Sequence, residues 1–169
     1  MTGRNGGGAP PRDEGDGLGE VRRCLQSYAD RGVFRGFAER DGWRNRKVFR
    51  FRWLARRPYD LEYEPETGAF VFLNALPNVA ARSPIARGLK EFVLGRTDAS
   101  LPEHRRIDPE RAEVSAFVRQ GDMRLKVVAD EGQHGYAANR VVNLMHEVYL
   151  YLQSYHPEYL WANYDASQD

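Results

Sequence analysis

Residues 47–64 read KVFRFRWLARRPYDLEYE, and this stretch decides the fold because its apolar residues recur at every second position. Aromatic residues alternate with arginines in the first half, and tyrosine and leucine alternate with carboxylates in the second half. A period of two is typical of strands that bury one face. The stretch therefore predicts an antiparallel hairpin that turns at Arg56-Arg57-Pro58.

The register of this hairpin follows if Ala55 lies opposite Tyr59. Arginines then face glutamates on one surface, and apolar side chains face one another on the other surface. The predicted pairs are Arg50 with Glu64, Arg52 with Glu62, Phe51 with Tyr63 and Trp53 with Leu61. In this register the aromatic residues lie in the core and are not available to stack on bases.

The segments on either side extend the hairpin into a mixed α and β domain. Apolar residues recur at helical spacing from Leu18 to Tyr28, and the patch from Val33 to Phe37 is interpreted as a last helical turn. A strand at 70–73 is apolar on both faces, so we expect it to be covered on both. The later elements are a helix capped by Ser83-Pro84, two strands joined by the Gln120-Gly121 turn, and an amphipathic helix spanning 138–152.

The order of these elements is helix, three strands, helix, two strands, helix. It predicts an α+β fold in which the helices pack on one antiparallel sheet. The predicted domain covers residues 18–164. Residues 1–17 lack large apolar side chains after Met1 and are predicted to be a disordered tail, and residues 165–169 are predicted to be a disordered end.

This order of elements over residues 18–155 resembles the type III secretion chaperone-like fold, which includes the bacterial YbjN-like proteins. Proteins of that fold typically act as small homodimers that bind protein partners and catalyse no reaction. The resemblance therefore implies a protein partner and a homodimer. It rests on the order and length of the elements, so it assigns no functional residue.

Composition argues against several classes of function. The 169 residues carry a formal charge of +1, so no global field attracts nucleic acid or an anionic membrane. The single cysteine, Cys24, rules out an internal disulfide and a cysteine-based zinc cluster. No apolar run is long enough for a membrane span, and the glycine-rich start lacks the apolar stretch of a secretory signal, so we expect a cytoplasmic protein.

Positive charge is concentrated between Arg40 and Arg57, where eight cationic residues accompany one acidic residue. With aromatic residues interleaved, this pattern is typical of a surface that binds RNA. The hairpin offers another interpretation, because it pairs two of the arginines with glutamates and buries the aromatic residues. The arginines outside those pairs form a possible rim for an anion or RNA, and they are Arg44, Arg46, Arg56 and Arg57.

Residues with catalytic or metal-binding chemistry do not form a known motif. His146-Glu147 lacks the second histidine of a zinc-protease helix, and the 132–135 loop lacks the Lys-Ser/Thr pair of a phosphate loop. We therefore predict no enzyme activity, no catalytic residue, no metal and no other cofactor. The alternative is a small polar site built from Asn139, Asn143 and His146.

The last helix is apolar over more than one stripe, because Leu150 lies opposite the main stripe and Val142 and Tyr151 widen it. Such a helix usually has a second neighbour, either the aromatic segment that follows or another subunit. The predicted protein-binding residues are Val142, Leu150, Tyr151, Tyr155 and Trp161. The sequence thus predicts a small chaperone-like or adaptor protein, with an RNA-binding module as the alternative.

Overall fold

The computed structural model of the protein describes residues 17–164. Within this range the chain forms a six-stranded antiparallel sheet and four α-helices, which confirms the predicted α+β class. The helices are α1 (Leu18–Asp30), α2 (Pro84–Leu94), α3 (His134–Tyr155) and α4 (Pro157–Asn163). The strands are β1 (Arg35–Asp41), β2 (Lys47–Arg52), β3 (Tyr59–Glu64), β4 (Ala69–Leu76), β5 (Ala112–Arg119) and β6 (Asp122–Ala129). The tail predicted at 1–17 lies outside the described residues except for Gly17, and the end predicted at 165–169 lies outside them.

The sheet has the strand order β1-β2-β3-β4-β6-β5, and one of its faces carries the core. Alternate residues of β6 are buried, and the core side chains of the sheet are Phe49, Phe51, Leu61, Tyr63, Phe70, Phe72, Leu125 and Val127. Helix α3 packs on β4 and β6, and α2 packs on β5. The opposite face, on which Glu62, Val71 and Lys126 lie side by side, is only partly buried, and we call it the open face. The cover expected on both faces of β4 is therefore found on one face only.

Strand β1 corrects the interpretation of Val33–Phe37 as a helical turn. Most residues of this edge strand are exposed and several are charged, so it lacks the apolar alternation that marks a strand in sequence. Phe34 stacks on Phe51 with ring centroids 3.8 Å apart. This contact holds the short segment that connects α1 to β1 against the core. A bulge follows, in which Gly36 has a φ of +62°.

The register of β2 and β3 is shifted by four residues from the predicted one. Phe51 lies opposite Tyr59 and Arg50 lies opposite Asp60, because a six-residue loop (53–58) replaces the predicted tight turn. An even shift keeps each side chain on its face, so the aromatic residues stay in the core. The ion pair is therefore Arg50 with Asp60, at 2.9 and 3.0 Å, rather than Arg50 with Glu64.

Candidate functional site

The apolar residues predicted to bind a partner divide into a buried group and an exposed group. Val142 is 1% exposed and belongs to the core, which corrects its prediction as a binding residue. The reason is that α3 packs on α1 as well as on the sheet, so α1 is a second neighbour of this helix. Tyr151 is half-buried and stacks on Phe92 of α2, with ring centroids 4.7 Å apart.

The exposed group consists of Leu150, Tyr155 and Trp161, which are 41%, 69% and 42% exposed. The aromatic segment after α3 does not cover Leu150, because it is held elsewhere. The Tyr159 hydroxyl donates a hydrogen bond to the Pro77 carbonyl at 2.5 Å, and the Tyr164 hydroxyl donates one to the Ala75 carbonyl at 2.6 Å. Helix α4 is thus fixed to the end of β4, and the exposed residues of α3 stay open to solvent.

The four arginines of the predicted anion rim lie in two separate places. Arg44 and Arg46 precede β2, whereas Arg56 and Arg57 follow it. The six residues of β2 separate the two pairs by about 20 Å. Arg46 is also ion-paired with two glutamates of β3, at 3.4 and 3.6 Å. The structure therefore does not bring the four arginines together in one rim.

Arg44 lies in the turn between β1 and β2. Arg44 and Asn45 both have left-handed backbone conformations there, with φ of 52° and 62°. The Arg44 guanidinium lies over the ring of Trp43, 4.3 Å from its centroid. Both side chains are exposed, so this turn presents an arginine–tryptophan pair to solvent.

A cleft lies between the β2–β3 loop and the two last helices. It brings together Arg56 of the predicted anion rim and Trp161 of the predicted protein-binding residues. Its volume is about 510 Å³, which lies within the range of pockets that bind small molecules or peptide side chains. The aromatic residues that line it are Trp53, Tyr149, Trp161 and Tyr164, and the charged ones are Arg35 and Arg56. We call this feature the C-terminal cleft.

The electrostatics of the C-terminal cleft are one-sided. Arg35 and Arg56 are exposed, and among residues 17–164 no carboxylate lies within 4.0 Å of either guanidinium. Arg57 is exposed beside them. An arginine guanidinium offers several donors in a planar fork that matches a carboxylate or a phosphate. The cleft therefore combines aromatic surface with cations that are free to bind an anion.

The titratable groups of the interior have structural roles. Burial raises the pKa of Cys24 to about 11, so the thiol is protonated at neutral pH and is a poor nucleophile. The Nδ1 atom of His134 lies 2.5 Å from the hydroxyl oxygen of Tyr63. Burial lowers the pKa of His134, so its imidazole is neutral at pH 7 and serves as a hydrogen-bond partner for a buried tyrosine.

The alternative polar site on α3 is a contact between helices. Asn139 donates a hydrogen bond to the Tyr28 hydroxyl at 2.9 Å, and Asn143 donates one to the side-chain oxygen of Asn139 at 3.2 Å. The first bond joins α3 to α1, and the second holds the Asn139 side chain within α3. His146 is exposed, and its ring centroid lies 6.2 Å from that of Trp53.

Arg35, Trp53 and Tyr149 are cleft residues that no pattern in the sequence assigns to a site. Arg35 belongs to the strand that lacks an apolar period. Trp53 is predicted in the core opposite Leu61, but the observed register places it in the β2–β3 loop. These residues come from three distant segments, so no local pattern in the sequence indicates that they meet.

Searches for a metal site, a membrane-spanning helix and similar proteins give no further indication of function. Among the residues that the structure describes, no group of three or more His, Cys, Asp or Glu is placed to hold a metal ion. No helix in residues 17–164 is long and apolar enough to cross a membrane. Comparison of the chain with protein-family models, curated proteins and solved structures gave no match.

Proposed function

We propose that the protein is a non-enzymatic protein-interaction module, chaperone-like or an adaptor, that binds its partner at the C-terminal cleft. The observation that carries this proposal is the convergence of Trp53 and Trp161 with Arg35 and Arg56 in one surface cleft. Tryptophan and arginine are among the residues most enriched at binding hot spots. The exposed Leu150 and Tyr155 add apolar surface on α3, the helix that contributes Tyr149 to the cleft.

The partner that fits this chemistry is an acidic segment with an apolar or aromatic anchor. Its carboxylates would pair with Arg35 and Arg56, which form no ion pair with a carboxylate of residues 17–164. Its anchor would pack against Trp53 and Trp161 in the aromatic part of the cleft. Because these arginines and tryptophans line one cleft, a single short segment could contact all of them.

The resemblance to the type III secretion chaperone-like fold supports the same function, since members of that fold bind proteins. The helix α4 and the strand β1 are additions to the order of elements on which the resemblance rests. Both contribute to the cleft, through Trp161 and Arg35. We infer that these additions adapt a chaperone-like domain to its own partner, and that a homodimer would use the exposed Leu150.

RNA binding remains the second candidate, favoured by the exposed Trp161 and the half-exposed Trp53 beside arginines. Affinity for nucleic acid depends on the number of phosphates that a protein neutralises. The cleft offers Arg35 and Arg56, with Arg57 beside them, whereas Arg44 and Arg46 lie beyond the other end of β2. So few cations at one place favour a protein segment over a polynucleotide.

Fluorescence anisotropy with three labelled probes tests the proposal. The probes are a short Glu-rich peptide with a central Phe-Leu anchor, the same peptide with Lys in place of Glu, and an oligouridine. We expect the acidic peptide to bind most tightly. Trp161→Ala should weaken its binding about thirtyfold or more, because loss of a hot-spot residue typically costs ~2 kcal/mol or more.

The matched control is Trp43→Ala, which removes another exposed tryptophan, in the turn before β2. It should leave the affinity for the acidic peptide unchanged. Equal binding of the Lys and Glu peptides, or no effect of Trp161→Ala, would contradict the assignment of the cleft. Salt-dependent binding of the oligouridine alone would replace the protein partner by RNA.

A further inference from the structure

The open face of the sheet carries a trough that is separate from the C-terminal cleft. It has a volume of about 360 Å³ and runs over β4 and β6 between β3 and β5. Its floor is formed by apolar side chains, namely Val71, Leu73 and Phe117, which are half-exposed. A small molecule that lies in the trough would bury this apolar surface.

One wall of the trough is cationic. Arg119, Arg124 and Lys126 line it, and within residues 17–164 no carboxylate lies within 4.0 Å of their charged groups. Arg124 and Lys126 alternate along β6, so their side chains leave the same face about 7 Å apart. Three positive groups thus line one wall of the trough, and none of them is ion-paired within residues 17–164.

The negative charge of the other wall is largely neutralised by an arginine. Glu62 and Glu64 line it, but Arg46 is ion-paired with both, at 3.4 and 3.6 Å. The four cationic residues and two glutamates of the trough leave a net positive charge. The glutamate oxygens remain acceptors, so they suit the hydroxyl groups of a ligand better than its charged groups.

Unsatisfied donors lie on both walls. Within residues 17–164, the Nε atoms of Arg46 and Arg124 are buried and have no hydrogen-bond partner. A buried donor without a partner costs free energy, and most such groups in folded proteins are satisfied. An oxyanion on the cationic wall would offer acceptors to the Arg124 guanidinium after a small rotation of its side chain.

We propose that this trough binds a small organic phosphate. Its phosphate lies against Arg119, Arg124 and Lys126, its apolar part rests on Val71, Leu73 and Phe117, and its hydroxyl groups face the glutamate wall. Phosphate is favoured over carboxylate because three cations match a doubly charged group with several acceptor oxygens. A second copy of the chain does not fit, because two net positive surfaces would face each other.

Isothermal titration calorimetry with ADP as the probe tests this proposal. ADP supplies a diphosphate, ribose hydroxyls and a base that can cover the apolar floor. We expect Lys126→Gln to weaken ADP binding several-fold and Arg124→Gln with Lys126→Gln to weaken it at least tenfold. Lys126 is half-exposed and has no ion pair within residues 17–164, so Lys126→Gln should fold normally. The control Arg23→Gln, on α1, should leave ADP binding unchanged.

Two further probes separate the parts of the site. Inorganic pyrophosphate should bind more weakly than ADP because it leaves the apolar floor exposed, and adenosine should not bind detectably because it lacks the anion. Trp161→Ala should not affect ADP binding, which keeps this test independent of the proposed function.

Failure of wild-type protein to bind ADP, or equal binding by wild-type protein and the double variant, would overturn the proposal. An oligouridine that binds more tightly than ADP through Arg124 and Lys126 would also overturn it. That result would show a nucleic-acid surface instead of a small-molecule site.

Discussion

Asp60 organises the charged side chains at one end of the open face. Its carboxylate is largely buried, and it accepts hydrogen bonds from the Arg50 guanidinium at 2.9 and 3.0 Å. The backbone amide of Asp60 donates a hydrogen bond to the side chain of Asn74 at 2.8 Å. A buried carboxylate is destabilising unless it is paired, so Arg50 stabilises the fold through this one residue.

Replacing Arg50 by Glu should therefore lower the melting temperature, by roughly several degrees, because two carboxylates would then lie directly opposite each other. Arg52→Glu is the matched control. Arg52 lies on the same strand and face, but the residue opposite it on β1 is Arg35 and not a carboxylate. Its replacement should therefore change the melting temperature by about one degree or less. Thermal unfolding followed by circular dichroism measures both. Equal decreases for the two variants would contradict the observed register.

Cys24 provides a prediction that depends on pH. Because burial raises its pKa from 9.0 to about 11, the thiolate fraction at pH 8 should be about a hundredfold lower than in the unfolded chain. The reaction with a disulfide reagent at pH 8 should be slower in the folded protein by a similar factor. Between pH 9 and 11 the folded state holds the extra proton, so this residue's contribution to stability decreases as the pH rises. Equal reaction rates with and without denaturant would contradict the burial of this thiol.

Helices α2 and α3 approach each other closely at Gly88. A Cβ atom at this position would lie 2.5 Å from the hydroxyl oxygen of Tyr151, so the missing side chain lets the tyrosine pack across α2. Within a helix, alanine is favoured over glycine by about 1 kcal/mol. In this protein, a clash between the added methyl group and the Tyr151 hydroxyl would offset the preference for alanine.

The effect of Gly88→Ala should therefore depend on residue 151. In the wild-type background we expect little gain in the free energy of unfolding. In the background of Tyr151→Phe, which removes the hydroxyl, Gly88→Ala should stabilise by ~0.5–1 kcal/mol. Chemical unfolding of the four variants gives the coupling. The same change in both backgrounds would show that the helices separate to accept the methyl group.

The elements also show how far sequence predicts this structure. The period of two in β2 and β3 predicts strands and faces, but it cannot set the register, because loop length and the Arg50–Asp60 pair decide it. The edge strand β1 has few apolar contacts to make, so its sequence has no period. The C-terminal cleft is even harder to predict from the sequence, because Arg35, Trp53 and Trp161 meet only after the chain has folded.

On the scale of the whole molecule, Leu150 tests the homodimer that the chaperone-like resemblance implies. We expect Leu150→Glu to convert a dimer to a monomer with little change in the melting temperature, because the Leu150 side chain is 41% exposed in the folded protein. Light scattering and thermal unfolding measure the two effects. Leu94→Glu, at another exposed apolar residue, is the control and should not change the mass. A wild-type protein that is monomeric at high concentration would remove the homodimer from the proposed function.

The β1 edge has a consequence for the protein in concentrated solution. Its exposed residues include Arg35, Glu39, Arg40 and Asp41, and the bulge at Gly36 bends its backbone. Charge and curvature at an edge hinder the addition of a strand from another molecule. The β1 edge is therefore protected from strand addition, and we expect the protein to resist aggregation through this edge in concentrated solution.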